Sequence, residues 1–493
     1  MLDTILESPA GDAVRTAAAL VAGDWIAAGP TADRTGPYVR RVVTVARMAE
    51  PSDVDAVAAY ARGAAKRMAR LAPAARAEIL DDAARLAHER REDFARLIAL
   101  ELGKPVKDGL GELDRVADTF MICAAEARQI GGEMLPIAGW RRGIGNTAFT
   151  YRAPAGVALA ITPFNAPANL LAHKLGASFA AGNSTIVKAP PQAPAVTAGL
   201  VALLLEAGAP TEAVQLLHGS GDVGAALCAV DDVSVVSFTG SVASGAAVAR
   251  AAGAKRLVLE LGGNAATIVC EDADIQAAAE ICARTGYSNS GQSCISVQRV
   301  YVHRTRYSDF VDALTAQVGR LVVGDPSDPK TDVGSMVDDA AAERVAGWAA
   351  QAVQAGGSIT IGGHRDGATL FPTVVAGPPR DAAIVVHEVF GALVGVLPYD
   401  DFNDVIAECN ASRYGLQAGL FTRDIGRAIT AWRELEVGGL VVNGSSNFRL
   451  DHVPFGGVKD SGFGRESPRM MIEDFTVVKT MLLRGMSVWG EDG

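Results

Sequence analysis

Residues 156–188 read GVALAITPFNAPANLLAHKLGASFAAGNSTIVK. GVALAIT is a short, continuous apolar run and predicts a buried strand, NLLAHKLGASFAAG predicts a helix, and STIVK predicts a second strand. The alternation continues downstream. AVTAGLVALLLEAG (195–208) reads as a helix, AVQLLH (213–218) and VSVVSF (233–238) as strands, GAAVARAAG (245–253) as a helix and RLVLEL (256–261) as a strand. Strands that are apolar on both faces and joined by helices form a mainly parallel sheet with helices on either side. A second such series runs from about Ala265 to Arg449. The fold class is therefore α/β, with two parallel-sheet lobes.

Upstream, Pro51 to Leu102 has helical spacing. Val54, Val57 and Ala58 recur at turn intervals, Leu71-Ala-Pro starts a further helix, and Gly103-Lys104-Pro105 ends the stretch from Glu92 to Leu102. Residues 1–18 read as a loose extension. A hairpin-like stretch at 132–150 and the strand FTVVKTMLL (475–483) are expected to pair outside both lobes, as a small oligomerisation arm.

Composition narrows the function. The 493 residues are 49% hydrophobic and 20% charged, and 53 are glycine, as suits a globular chain of two or three lobes. A net charge of -11 repels nucleic-acid phosphates and anionic lipid surfaces, so neither partner is expected. The six cysteines form no CxxC pair and no zinc-spaced cluster, so no metal is expected and reduced thiols in the cytoplasm are the natural reading. The opening MLDTILESPAGDAVR carries Asp3 and Glu7 where a secretory signal would be basic and then apolar, and no apolar run approaches bilayer length.

Four segments carry candidate chemistry. Glu260 in LELGG ends a strand beside flexible backbone. Taken alone, it also reads as a solvated strand end. Cys294 in NSGQSC falls in the turn before ISVQRVYVH, where a thiol can face a cleft, although a lone cysteine is commonly an inert core residue. Cys123, Cys228, Cys270, Cys282 and Cys409 sit in apolar patterns and are expected in the core. Asn165 in ITPFNAPAN has an amide able to donate to an oxyanion, or to hold a turn. Glu388 and Phe390 in HEVFG are a loop carboxylate and ring before another strand.

Together ITPFNAP, FTGS, LELGG, GQSC, EVFG and PFGGVKDSGFGRE, in that order, resemble the aldehyde dehydrogenase superfamily over nearly the whole chain after about residue 20. The segment NFRLDHVPFGGVKDSGFGRE resembles the group of lactaldehyde, phosphonoacetaldehyde and non-phosphorylating glyceraldehyde-3-phosphate dehydrogenases. The resemblance implies a Rossmann-like NAD(P)-binding domain (1–131 and 151–261), a catalytic domain (262–459) and an arm (132–150 and 473–488) in a homodimer or homotetramer. It implies oxidation of an aldehyde to its acid through a thiohemiacetal and thioester on Cys294. Asn165 and the Cys294 amide hold the oxyanion, Glu260 acts as general base, and Lys174 lies near the cofactor and proton path.

GSGDVG at Gly219, Gly221 and Gly224 is a literal GxGxxG, but the acid expected about 20 residues later is missing from SFTGSVAS (237–244). The resemblance instead places the pyrophosphate near Thr239, Gly240 and Ser241 and leaves Gly221 on the adenosine side. It implies further cofactor contacts from Ile161, Thr162, Phe164 and Leu261. Lys188 is implied on the adenine ribose, Glu388 on the nicotinamide ribose and Phe390 beside the ring. Many NAD-preferring members have Glu where this chain has Pro191, so NADP is expected to be tolerated beside NAD. For substrate, Phe455, Ser293 and Arg115 are the candidates. Ser293 replaces an arginine common in members acting on phosphorylated aldehydes. Arg115 matches an anion-binding arginine or reads as a solvated helix residue. A small polar or hydroxylated aldehyde is favoured over a doubly charged one. Alternatives are transfer of the thioester to coenzyme A, a non-catalytic protein retaining the fold, and a cofactor-independent cysteine hydrolase. Glu260 disfavours the first, the intact trio of Cys294, Glu260 and Asn165 the second, and FTGS with Lys188 the third.

Overall fold

The computed structural model describes residues 1–6 and 14–488. Its centre is an eight-stranded sheet whose middle is five parallel strands, in the order Arg256–Glu260, Val233–Thr239, Val157–Ile161, Ser184–Ala189 and Val214–His218. Antiparallel strands close both sides: Gly462–Phe463 pairs with Arg256–Glu260, and Ala19–Val21 pairs with Val214–His218. Val157–Ile161, Ser184–Ala189 and Val214–His218 are buried at every position, as the uninterrupted apolar runs require of strands covered on both faces. Helices Pro167–Ala181 and Pro194–Glu206 follow two of these strands, each with Pro in its first turn.

The second sheet has seven strands. Thr373–Ala376, Leu393–Tyr399, Arg299–His303, Ala266–Val269, Gln417–Phe421 and Gly439–Val442 run parallel, and Ser358–Ile361 is the antiparallel edge. A third sheet of three antiparallel strands joins Met134–Leu135, Thr147–Pro154 and Thr476–Leu483. Among the described residues no helix is long and apolar enough to cross a membrane.

Two expectations change. Residues 2–6 form a helix that buries Leu2, Ile5 and Leu6, and Arg15–Ala17 is a strand paired with Val42–Arg47, so the two ends of the stretch read as a loose extension are anchored. The apolar triplet drives this, being too sparse in sequence to announce a helix. Residues 7–13 of that stretch lie outside the described residues. The strand expected from Ile295 starts at Arg299. Just before it the Gln298 carbonyl accepts from Gly395 N of the adjoining strand, but residues 293–296 are taken up by a turn in which Ser296 N bonds back to the Ser293 carbonyl.

Two buried glutamates hold the helices that flank the future site. Glu101 accepts from Ala195 N and Val196 N, both at 3.1 Å, and Glu112 Oε1 accepts from Ala168 N (2.8 Å) and Asn169 N (3.2 Å). Each carboxylate caps free N–H groups at a helix start, where negative charge is favoured. Glu112 Oε2 also pairs with the buried Lys104 ammonium at 2.6 Å. Replacing Glu112 by Ala strands that cation and is expected to cost about 3–5 kcal/mol. Urea denaturation checks this, with Glu112→Gln falling between wild type and Ala; an unchanged midpoint for both would refute the capping account.

Candidate active site

The carboxyl ends of the parallel strands open into a cleft of about 540 Å³. Successive strand ends deliver its walls: Ile161 to Asn165 after the first strand, Lys188 and Pro191 after the second, and Phe238 to Ser241 and Glu260 to Gly262 from the next two. The second lobe supplies Cys294, Arg344, Glu388, Phe390, Arg449 and Phe455. Ligand sites belong at this edge of a doubly wound sheet, because loops and helix starts converge there.

Of the six cysteines only Cys294 is not fully buried. It stands in a turn, as its sequence context suggested. The two glycines of LELGG let the second lobe close on it. A Cβ on Gly263 would lie 2.2 Å from the Cys294 carbonyl oxygen, and one on Gly262 would lie 2.4 Å from Glu388 Oε2. Glu388 Oε1 accepts from Gly263 N at 2.9 Å. Burial, with the Glu388 and Glu260 charges, pushes the Cys294 thiol up to about 12, so the resting sulfur is protonated and needs a base.

A carboxylate, Glu260, lines the same cleft. Glu260 is buried, and neither of its carboxylate oxygens has a hydrogen-bond partner among the described residues. Burial, and then the neighbouring Glu466 charge, raise its carboxyl well above the usual range. Glu466 takes the opposite course. Burial alone would raise it, but Lys174 Nζ at 2.8 Å and Arg449 Nη1 at 2.9 Å outweigh that and hold it ionised, well below the usual range. Two carboxylates in one wall thus have well-separated proton affinities, the pattern of an acid–base pair with distinct duties. Lys174, fully buried, also donates to Thr239 Oγ1 at 2.7 Å. Arg449 stacks over Phe455, with its guanidinium carbon 4.2 Å from the ring centroid.

Asn165 lies in the loop before helix Pro167–Ala181 and lines the cleft. Its carbonyl oxygen accepts from Asn289 Nδ2 at 2.9 Å. Phe164 and Phe390 meet edge to face with ring centroids 5.8 Å apart, and Phe390 holds φ +48°, a strained conformation of a kind that concentrates at functional sites.

The other half of the cleft fits a dinucleotide. Lys188 is buried with no hydrogen bond or ion pair among the described residues, and that burial draws its ammonium down to about 8. An unpaired cation in a cleft wall suits an anionic or hydroxyl-rich group. Two helices, Gly221–Ala229 and Val242–Ala252, start at the cleft, each with one first-turn N–H taken by its capping serine and others left over. Ser241 caps the second by accepting from Ser244 N at 3.2 Å. The GxGxxG therefore lies at a strand-to-helix turn, and of its glycines only Gly221 and Gly224 line the cleft.

The cleft collects Ile161, Thr162, Phe164, Lys188, Gly221, Thr239, Gly240, Ser241, Leu261, Glu388 and Phe390, together with Cys294, Glu260, Asn165 and Phe455. Lys174 lies behind the wall. Arg115 and Ser293 are not part of the lining. Arg115 is neither a free solvated cation nor a cleft residue, because Asp451 takes it in a two-point pair at 2.9 and 2.6 Å. Asp451 also meets His173 Nε2 at 2.9 Å and Asn169 Nδ2 at 3.2 Å. Ser293 turns its hydroxyl toward Ile295 N, 3.4 Å away. Sequence reasoning missed Arg449, Glu466 and Arg344. The first two stand inside the segment 447–466 already quoted, and an Arg and a Glu bracketing a glycine-rich loop were the only signal.

Comparison with known proteins gives the family. Residues 25–481 match the profile of the Aldehyde dehydrogenase family. The chain is 42% identical to the 3-sulfolactaldehyde dehydrogenase of Priestia aryabhattai, over 94% of its own length and 97% of that protein's. It superposes on aldehyde dehydrogenase 21 of Physcomitrella patens, solved with the reaction product succinate, with a TM-score of 0.94 at 32% identity, covering 97% of this chain and all (100%) of that one. The NADP-dependent glyceraldehyde-3-phosphate dehydrogenase of Bacillus halodurans, solved with NADP, gives a TM-score of 0.93 at 30% identity over 96% and 100% of the two chains. The chain thus belongs to the aldehyde dehydrogenase family and is an NAD(P)-dependent oxidoreductase acting on small aldehydes.

Proposed function

We propose that Cys294 is the nucleophile, Glu260 the general base, and the Asn165 amide with the Cys294 N–H the oxyanion donors. The observation that carries this is a single accessible thiol sharing one cleft with an unpartnered buried carboxylate. The thiol proton passes to Glu260 as the sulfur adds to the aldehyde carbon. The resulting oxyanion, in a thiohemiacetal on Cys294, is held by the two donors. NAD(P), when bound, supplies the hydride acceptor. Glu260 passes the thiol proton to solvent before deacylation and then takes a proton from the water that attacks the thioester carbon. The C–S bond breaks, the sulfur leaves as the thiolate and regains a proton from Glu260, and the acid departs. Burial and then the ionised Glu466 keep the proton affinity of Glu260 high, while the Lys174 ammonium that pairs with Glu466 moderates it.

The substrate read from the site is a small aldehyde bearing a hydroxyl or one negative charge. Arg449 is the cationic group beside Phe455 in the catalytic end of the cleft, yet its Nη1 is committed to Glu466 Oε1 and its Nη2 to the Glu466 carbonyl at 3.1 Å. That leaves little charge for a dianion, and Ser293 adds none. A relative of this chain acts on 3-sulfolactaldehyde and another, at 35% identity, on lactaldehyde, which supports the reading. NADP is accommodated through Lys188, with Pro191 presenting no opposing carboxylate. The six free cysteines favour a reducing, cytoplasmic setting.

The proposed division is a cofactor domain (1–131, 151–261), a catalytic domain (262–459) and an arm (132–150, 473–488), and the two large sheets and the sheet of Met134–Leu135, Thr147–Pro154 and Thr476–Leu483 support it. The arm argues for a homodimer or homotetramer. Thr476–Leu483 is paired on one side only, and Trp140, Val478, Met481 and Leu482 are exposed along with it.

Cys294→Ala is expected to abolish reduced-nicotinamide formation, and Glu260→Gln to lower steady-state turnover about 10²–10⁴-fold. Assays of hydroxylated, monoanionic and apolar aldehydes with and without coenzyme A check this; an acyl-coenzyme A product, or an active Cys294→Ala, would refute it. Activity should rise with pH as the raised Glu260 carboxyl ionises, and Glu260→Gln should flatten that rise.

A Lys188 ammonium that titrates near 8 must be charged to hold a 2′-phosphate. Affinity for NADP is therefore expected to fall as pH passes that value, and NAD affinity to fall less. Fluorescence titration from pH 7 to 9 reads both (about two units spanning the transition); parallel curves would remove Lys188 from the phosphate site. In light scattering the chain should elute as a dimer or tetramer, and Val478→Lys with Met481→Lys should weaken that assembly. A wild-type monomer at micromolar concentration would rule it out.

A further inference from the structure

The two oxyanion donors proposed above belong to different lobes. Asn165 hangs from the first sheet, and Cys294 sits in a turn that leads into the second. No backbone connects them locally, so some other contact must fix their separation. The structure shows one side chain that touches both loops.

Asn289 is buried in the short turn Ser288–Gly291 that follows helix Ile275–Tyr287. Its backbone is left-handed (φ +50°, ψ +37°), as is that of Ser290 (φ +54°). Asparagine tolerates this conformation better than most residues. The conformation aims the amide out of its own turn. Asn289 Nδ2 donates across the lobe boundary to the Asn165 carbonyl at 2.9 Å, and also to the Gln292 carbonyl, two residues before Cys294, at 3.2 Å. The rest of the residue is fixed independently. Asn289 N donates to Asp108 Oδ2 at 2.7 Å, and its carbonyl accepts from Gln292 N at 3.0 Å and Gln292 Nε2 at 3.2 Å. Gln292 Oε1 in turn accepts from Val337 N at 2.8 Å. From the first lobe, Lys104 Nζ makes a weaker contact to the same Asn165 carbonyl at 3.4 Å.

We propose that Asn289 is a positioning residue for the oxyanion site, its side-chain amide bridging the Asn165 loop and the Cys294 loop. This rests on the reading of Asn165 as an oxyanion donor. One NH₂ group with two carbonyl acceptors, one in each loop, sets the distance between donors that no covalent path controls. Oxyanion stabilisation depends steeply on that distance, since a donor displaced by about 1 Å can cost about 10²-fold in rate.

Two variants test it. Asn289→Gly keeps the left-handed backbone and the backbone hydrogen bonds while deleting the bridge. Asn289→Asp keeps the shape but sets a carboxylate against two carbonyl oxygens. Each is expected to lower kcat about 10- to 100-fold. Two readouts should stay at wild-type values: the Kd for NADP, and the rate at which iodoacetamide alkylates Cys294. Alkylation displaces iodide from a saturated carbon and develops no carbonyl oxyanion, so it reports the thiol without the donors. In an Asn165→Ala background the Asn289→Gly change should be close to silent, because both act through one interaction. An unchanged kcat in both variants overturns the proposal. So does a fall in alkylation and NADP binding in step with kcat, which would mark general disruption, and so do multiplicative losses in the double variant. If Asn165→Ala itself leaves kcat intact, the oxyanion reading fails and takes this inference with it. If Asn165→Ala is slow and Asn289→Gly is not, only the bridge is wrong.

Discussion

Two carboxylates, Glu260 and Glu466, are buried in the same cleft wall, and among the described residues only Glu466 is held in direct ion pairs. Lys174 and Arg449 are both spent on Glu466, so its charge is compensated where it stands. Glu260 then faces a fixed negative neighbour in a poorly solvated place with no donor of its own, and its affinity for a proton rises. The asymmetry follows from which side chains reach which oxygen. It leaves Glu260 with a raised proton affinity in the same cleft as a thiol that burial also keeps protonated. The cost of burying so many ionisable groups is contained by making the network nearly complete, with Asp451 linking Arg115, His173 and Asn169 at its outer edge.

The same economy organises the cofactor half. Parallel strands end at one edge, the helices that follow them begin there, and unused N–H groups collect where a pyrophosphate would lie. Glycines act as clearances in this arrangement. Those of LELGG seat the Cys294 carbonyl and the Glu388 carboxylate, contacts that no side chain at residues 262 or 263 would permit. Lys188 is left without a partner, and an uncompensated cation in a cleft wall makes sense chiefly when a ligand completes it.

Much of this was legible from residue order. Continuous apolar runs announced strands buried on both faces, and the strands found at 157–161, 184–189 and 214–218 are buried throughout. Cys294 stood apart from five cysteines in apolar patterns, and those five are buried. Three features were not legible. Leu2, Ile5 and Leu6 make too short a pattern to signal a helix, yet they are anchored by packing on the helix at 194–206, some 190 residues away. The strand at Arg299 starts late because Ser293–Ser296 form a turn whose Ser296 hydroxyl donates to the Gly286 carbonyl on the preceding helix. Arg115 offered two readings, and a partner 336 residues away decided for a third.

The chain's order of residues determined the alternating α/β architecture, the cleft edge and the side chains able to act there, because periodicity, glycine placement and functional-group chemistry are local properties. Tertiary structure alone decided which carboxylate keeps its proton, which arginine faces the cleft and which is consumed by Asp451, and how Asn165 is tied to the loop of Cys294. Those outcomes depend on pairings between segments hundreds of residues apart, within a medium of low polarity where the presence or absence of one partner sets the charge of a group.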